Sequence, residues 1–284
     1  MVALTKRNER LSKTRIADMI DKAGTTTGLP RGYLGMSQIG GECMRSLWYY
    51  FRWASEGTID GRLNRLFQVG HKAEADMIES LESIGVKTWD TLDSQAAFVD
   101  IGGYFSGHSD GMALGIPGAE KTVHLLEFKT SSDKYFKSMI KNGVKKDKYQ
   151  HYCQMTLYMH YSKTTRALYM MYNKNDSSYY TERIKYDKDL ALELISKAQD
   201  IIFSENPNDF QRIGSGKPSW FMCKWCSYSD VCFEKTKPHK NCRTCINCDL
   251  IGECKFQCSK DGKELSLEEQ AKGCNNHKYL ECFQ

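Results

Sequence analysis

Four groups of side chains in this sequence have types and spacings suited to chemistry. Cys223, Cys226 and Cys232 form a C-x2-C-x5-C run in WFMCKWCSYSDVC, and a lone Cys43 stands far upstream in GGECMRSLWYYFRW. Three thiolates on one loop can wrap a metal centre but leave one coordination position open. A distant fourth cysteine would close the site and tie the early chain to the late chain. Zinc and an iron–sulfur cluster both accept four such sulfurs, so spacing alone does not choose between them.

The second group is acidic. Asp110 ends one strand-like segment, YFSGHSDGMAL, and Glu127 lies two residues before Lys129 in the next, VHLLEFK. On a strand, positions two apart face the same side, so Glu127 and Lys129 share a face. A chain returning antiparallel brings the Asp110 carboxylate beside Glu127. Two adjacent carboxylates repel unless a divalent cation neutralises them, and hard oxygen donors suit Mg2+ or Mn2+. Lys129 could orient or help deprotonate an attacking water there. Val123, Leu125 and Leu126 mark the segment as buried, which makes a Glu and a Lys within it costly without a role.

A helix over about 61–83 supplies the third group. At about 100° per residue, Leu63, Phe67, Ile78 and Leu81 define an apolar stripe with Glu74 near its middle and His71 at its edge. His71 and Glu74 are three apart, so both can reach one site as ligands. The fourth group is Gln150, Gln154 and Tyr158 at i, i+4 and i+8 on a later helix, placed to hold a phosphate or to position Lys129. Upstream, six lysines between 134 and 148 face a single acid, Asp147, a composition that can track a DNA backbone.

The elements that must position these groups follow from patterning. Ser37 is expected to cap a helix through about 54, followed by the 61–83 helix. Strands are expected at AAFVDI, YFSGHSDGMAL and TVHLLEFKT, then a helix over about 148–162, strands at TRALYMMYN and SYYTERIKY, and a helix over about 190–203. This order gives an α/β fold with a mixed central sheet flanked by helices. FEKTKPHKN reads as a linker to a small Cys-rich C-terminal module. There Cys242, Cys245, Cys258, Cys274 and His277 are five candidates for four zinc positions. So small a module is expected to need metal to fold.

Asp110, Glu127-Phe128-Lys129 and Gln154-x3-Tyr158, with His71 upstream, resemble the PD-(D/E)XK nuclease superfamily in its RecB-like branch. Cys43 with Cys223-x2-Cys226-x5-Cys232 is similar to the iron–sulfur subgroup of that branch, which includes CRISPR-associated RecB-like exonucleases and the AddB nuclease domain. The resemblance covers about 37–232. Ser109 stands where the motif proline would be, as is common among RecB-like members.

This resemblance implies a restriction-endonuclease-like core and divides the chain into an N-terminal extension (1–36), a nuclease domain with an iron–sulfur staple (37–235) and a Cys-rich zinc module (242–284). It implies that His71, Asp110, Glu127 and the Phe128 carbonyl hold Mg2+ or Mn2+, with Glu74 at a motif acid position. Lys129 acts on the water, and Gln154 and Tyr158 support the substrate side. The four cysteines hold a 4Fe–4S cluster, and the tail looks like that of some phage-encoded nucleases. The implied function is a metal-dependent DNA exonuclease in recombination, repair or phage DNA processing. DNA is its substrate, and a single-strand annealing protein or a helicase is the kind of partner it would have. The alternatives are a structure-specific endonuclease and a catalytically silent DNA-binding scaffold subunit.

Composition bounds these readings without choosing among them. Forty Lys and Arg against 35 Asp and Glu give a net charge of +5, which permits a polyanionic partner. No stretch approaches the ~20 apolar residues of a membrane span, and the opening MVALTKRNERLSK has no apolar signal region, so a cytoplasmic location in a bacterial or phage-infected cell is expected. Twelve cysteines in such a chain favour metal ligation over disulfides.

Overall fold

The computed structural model describes residues 15–284; of the expected extension, 1–14 lie outside the described residues. Two sheets position the site. The larger has five strands: β2 (Lys87–Trp89), β5 (Gly111–Leu114), β6 (His124–Ser131), β7 (Arg166–Asn173) and β8 (Tyr179–Lys185), in that spatial order. Its β6–β7 pair is parallel and the others are antiparallel, so the sheet is mixed. The smaller sheet sets β1 (Leu34–Gly35) parallel to β4 (Phe105–His108), with β3 (Ala97–Asp100) antiparallel on the far side of β4. Leu34 and Met36 are fully buried, so the end of the expected extension belongs to the core.

YFSGHSDGMAL is therefore two strands in two sheets, not one. The chain crosses between them at Ser109 and Asp110, and the crossing depends on Gly111. Its φ is +142°, and a Cβ there would come within 2.5 Å of Thr91 Cγ2, so only glycine makes this turn.

Helix α1 (Met44–Phe51) is shorter than the expected 37–54 span. Gly40 and Gly41 precede it, and the Gly41 N–H closes a turn onto the Gln38 carbonyl, so the helix starts late. Cys43, with extended backbone, takes the N-cap position instead of Ser37. Helix α2 (Gly61–Ser83) has the expected bounds and is capped by Asp60, whose side chain accepts from the Leu63 N–H. Only its second half is covered: Ala73, Met77, Ile78 and Leu81 pack on the sheet, whereas Phe67, expected in the core stripe, is 45% exposed beside exposed Leu66 and Val69. The helix outruns the sheet it rests on. Three further helices of ten or more residues follow: α3 (Asp133–Asn142), α4 (Tyr149–Ser162) and α5 (Lys188–Phe203). Helix α4 crosses the sheet with eight consecutive buried residues from Tyr152 to Met159, so its polar Gln154 lies in the core.

Residues 242–284 form a three-stranded antiparallel sheet of β9 (Cys248–Gly252), β10 (Lys255–Cys258) and β11 (Lys263–Leu265). This segment shares the main core: Phe256, Leu280 and Phe283 join Phe51 and Tyr104 in one buried cluster. Arg243 fixes the join. Its guanidinium lies 3.9 Å from the ring centres of both Trp53 and Phe256. It also donates to Gly32 O, Phe51 O and Gln270 Oε1. A buried cation without a carboxylate is expensive, and burial lowers the Arg243 pKa to about 9. Three acceptors and two aromatic faces offset that cost. No described helix is long and apolar enough to cross a membrane.

Candidate active site

The strand register assembles the acidic group. Gly111 pairs with Leu126, so one step further Asp110 faces Glu127 across β5 and β6. The Phe128 N–H donates to Asp110 Oδ2 at 2.6 Å, which locks the aspartate at the strand crossing. Glu127 is 0% exposed. Its Oε1 accepts from Lys129 Nζ, and its Oε2 accepts from Gln154 Nε2 at 3.1 Å. Lys129 Nζ also donates to the Phe128 carbonyl at 3.1 Å. One ammonium thus sits on two of the atoms that the sequence assigns to a cation.

Asp110, Phe128 and Lys129 form one wall of a cavity of about 590 Å3, lined also by His71, Glu74 and Gln95, while Glu127 is buried beside it. Exposed Leu66, Phe67 and Leu92 make its apolar rim. Glu74 accepts from Gln95 Nε2 at 2.8 Å. Burial and the neighbouring Asp110 raise the Glu74 carboxyl above its ordinary range. Burial raises Asp110 as well, against the opposing pull of Lys129 and the Phe128 N–H. Burial pushes Glu127 up to about 8, with Lys129 opposing and Asp110 adding to the rise. Burial alone would lower Lys129, but Glu127 and Asp110 reverse the sign and hold it charged. Three carboxyl groups crowded beside one ammonium hold protons more tightly than free acids do, and a divalent cation would relieve that crowding.

Sequence placement and structural placement differ for the later helix. Gln154 and Tyr158 are buried beside Glu127 and do not line the cavity. Gln154 touches the carboxylate, and the Tyr158 hydroxyl accepts from Gln154 Nε2 at 3.3 Å, one step removed. Gln150 donates to Ser37 O and leaves the expected polar line. Gln95 was missed by sequence reasoning. It sits in the loop between β2 and β3, where no periodicity marks it. His151 was missed too. Its Nδ1 lies 3.0 Å from the Tyr169 hydroxyl, and burial first, then Lys129, push its pKa down to about 3, so the ring stays neutral.

The cysteines gather in the two expected neighbourhoods. Cys43 is raised by burial and by the nearby Cys226, Cys232 and Cys223 thiols, and Cys226 Sγ lies 3.8 Å from Ser46 Oγ at the start of α1. Cys153 is fully buried elsewhere on α4. In the tail, burial pushes Cys242 up to about 11, with Cys274, Cys245 and Cys258 adding to it. His277 turns toward Thr244, its Nε2 lying 3.3 Å from Oγ1. Cys245 Sγ accepts from the Lys278 N–H at 3.5 Å. Among the described residues, no three or more His, Cys, Asp or Glu side chains converge as a finished metal-binding group. The fit to metal is one of donor chemistry: carboxylates at the cavity, thiols at the two cysteine sites.

No family model matches the chain, and neither does any curated protein. Among solved structures, the chain is similar to an alkaline exonuclease from Laribacter hongkongensis, LHK-Exo, at 17% identity and TM-score 0.45, covering 61% of this chain and 87% of that one. The same exonuclease in complex with dAMP gives 18% identity, TM-score 0.44, and 60% and 86% coverage. A phage-related exonuclease from Haemophilus somnus 129PT gives 14% identity, TM-score 0.37, and 60% and 93% coverage.

Proposed function

We propose that this chain is a divalent-metal-dependent deoxyribonuclease that removes nucleotides from DNA ends. The observation that carries the reading is the buried Glu127, paired with Lys129 and facing Asp110, next to a cavity that Asp110, Lys129, His71 and Glu74 line. A purely structural carboxylate would not need two further acids beside it. The end-acting mode rests on the resemblance of Asp110, Glu127-Phe128-Lys129 and Gln154-x3-Tyr158 to RecB-like exonucleases.

Asp110, Glu127, the Phe128 carbonyl and His71 would hold Mg2+ or Mn2+, with Glu74 beside them, a set of mainly hard oxygen donors. When bound, the ion would polarise the scissile phosphate and lower the pKa of a bound water. Lys129, beside Glu127 and Asp110, orients a water or phosphate oxygen by charge. Gln154 fixes the Glu127 rotamer, and Tyr158 seats Gln154. Both are positioning residues.

Cys43, Cys223, Cys226 and Cys232 would hold a 4Fe–4S cluster that joins α1 to the late loop in a structural role. Cys242, Cys245, Cys258 and Cys274 would hold zinc, with His277 the alternative fourth ligand. Recombination, repair or phage DNA processing fits such an enzyme, with a single-strand annealing protein or helicase as partner. The test is degradation of end-labelled linear and closed circular DNA with Mg2+ or Mn2+. Linear DNA should shorten progressively while circles persist. Cleaved circles would make the enzyme an endonuclease, and intact linear DNA under every metal would remove the hydrolytic reading.

A further inference from the structure

We propose that the segment Trp220–Trp225 is a stacking platform for single-stranded DNA. Phe221 and Trp225 are 73% and 74% exposed, more than any other large hydrophobic side chain among the described residues, and Trp220 and Met222 beside them are each 41% exposed. Four exposed large apolar side chains within six residues are a concentration that marks an interaction site. Phe221 opens a short helix, Phe221–Lys224, and Trp225 follows it, so the two rings lie four residues apart on one side.

The face is built, not loose. Trp220 N–H donates to Lys217 O, and Lys224 N–H donates to Trp220 O at 2.9 Å. The Trp220 indole rests on Gly214, where φ is +60° and a Cβ would come within 2.3 Å of the ring, so that position is closed to other residues.

Charge identifies the occupant. Between Arg212 and Ser229 there are three cations, Arg212, Lys217 and Lys224, and no acid. Lys224 Nζ lies 5.5 Å from the Trp225 ring centre, so an ammonium flanks the aromatic face. Rings for bases with lysines for phosphates is the arrangement that grips an unpaired strand. A duplex offers its phosphates and groove edges but hides its base faces. A stable protein partner buries about 20–30 residues a side, far more than this patch provides. None of its residues lines the hydrolytic cavity, so the platform stands apart from the proposed cleavage chemistry.

The probe is a fluorescein-labelled oligo-dT with a phosphorothioate backbone, which resists hydrolysis, titrated into the full chain without added divalent metal. Fluorescence anisotropy should give a dissociation constant about tenfold higher for Trp225→Ala and for Phe221→Ala, within the range of one lost base stack. Trp225→Phe should restore most of the affinity while reducing the tryptophan quenching that accompanies binding. Metal content and thermal melting, unchanged across the variants, exclude an effect through the cysteine loop. Equal affinity of wild type and the Phe221→Ala/Trp225→Ala double variant overturns the proposal. So does self-association of the wild type that the double variant abolishes with strand affinity intact, because the face would then join protein to protein. A chain that cleaves no DNA yet binds the strand through both rings supports the platform and removes the hydrolytic reading alone.

Discussion

Gln154 on α4 donates to Oε2 of Glu127 on β6 at 3.1 Å, so the buried carboxylate between Asp110 and Lys129 is held from inside the core by a neutral amide. Without that amide, Oε2 of a fully buried carboxylate has no donor, which costs on the order of 1–3 kcal/mol. Gln154→Leu should lower kcat at least tenfold and lower the melting temperature, whereas Gln154→Glu, setting a second acid against Glu127, should do worse on both. Full activity in Gln154→Leu would show that Glu127 needs no support from behind.

Metal affinity should depend on pH through Glu127. Its carboxyl, ordinarily near 4.5, is raised to about 8 by burial, so below pH 8 a proton must leave as a cation enters. Affinity for Mn2+ should therefore climb by up to about tenfold per pH unit from roughly pH 5 to 8 and level off above. The metal-free fold has the opposite sign. It retains a proton that the unfolded chain has lost, so its stability falls as pH rises through the same window. Calorimetric titration at pH 6, 7 and 8 checks the first trend. Glu127→Gln should flatten both, and a wild type with pH-independent affinity would refute the assignment.

His151 should govern acid sensitivity. Its folded pKa is lowered to about 3 from 6.5, so its contribution is complete above pH 6.5 and is lost as the unfolded chain takes up a proton on acidification. At pH 5 the loss is about 2 kcal/mol, at 1.36 kcal/mol per pKa unit. Urea melts at pH 7 and 5 measure it, and His151→Gln should lose less stability between those two values than wild type. An identical pH dependence in the variant would exclude His151 as the source.

Anaerobically purified protein should be brown, with about four irons per chain. Cys43→Ser should bleach it as fully as Cys226→Ser despite a separation of 183 positions, and Cys153→Ser should leave the colour intact, because that thiol is fully buried in the α4 core. A colourless wild type containing zinc alone would replace the cluster with the other four-sulfur metal, and full iron in Cys43→Ser would remove Cys43 from the site.

Legibility in the sequence followed the range of the interactions. Asp110, Glu127 and Lys129 were readable because a period of two and one tight return fix which faces meet. The mixed sheet and its flanking helices followed from segment order. Phe67 was misplaced because helical periodicity marks a stripe but not where the sheet beneath it ends. Helix α3 went unseen because its lysines outnumber the two residues it buries, Phe136 and Met139. Gln95 has no pattern at all; only the fold brings its loop to Glu74. The tail's cysteines suggested a separate unit, yet Phe256 and Phe283 enter the main core, a partnership that no local window contains.

The Arg243 clasp sets a timetable for the newborn chain. Gly32 O waits for a donor 211 positions downstream, and Trp53 and Phe51 wait for the same side chain. At ribosomal speeds of about 5–20 residues per second, that delay is on the order of 10–40 s. Throughout it, aromatic surface from the first fifth of the chain stays uncovered, while closing so long a loop makes the final step slow as well.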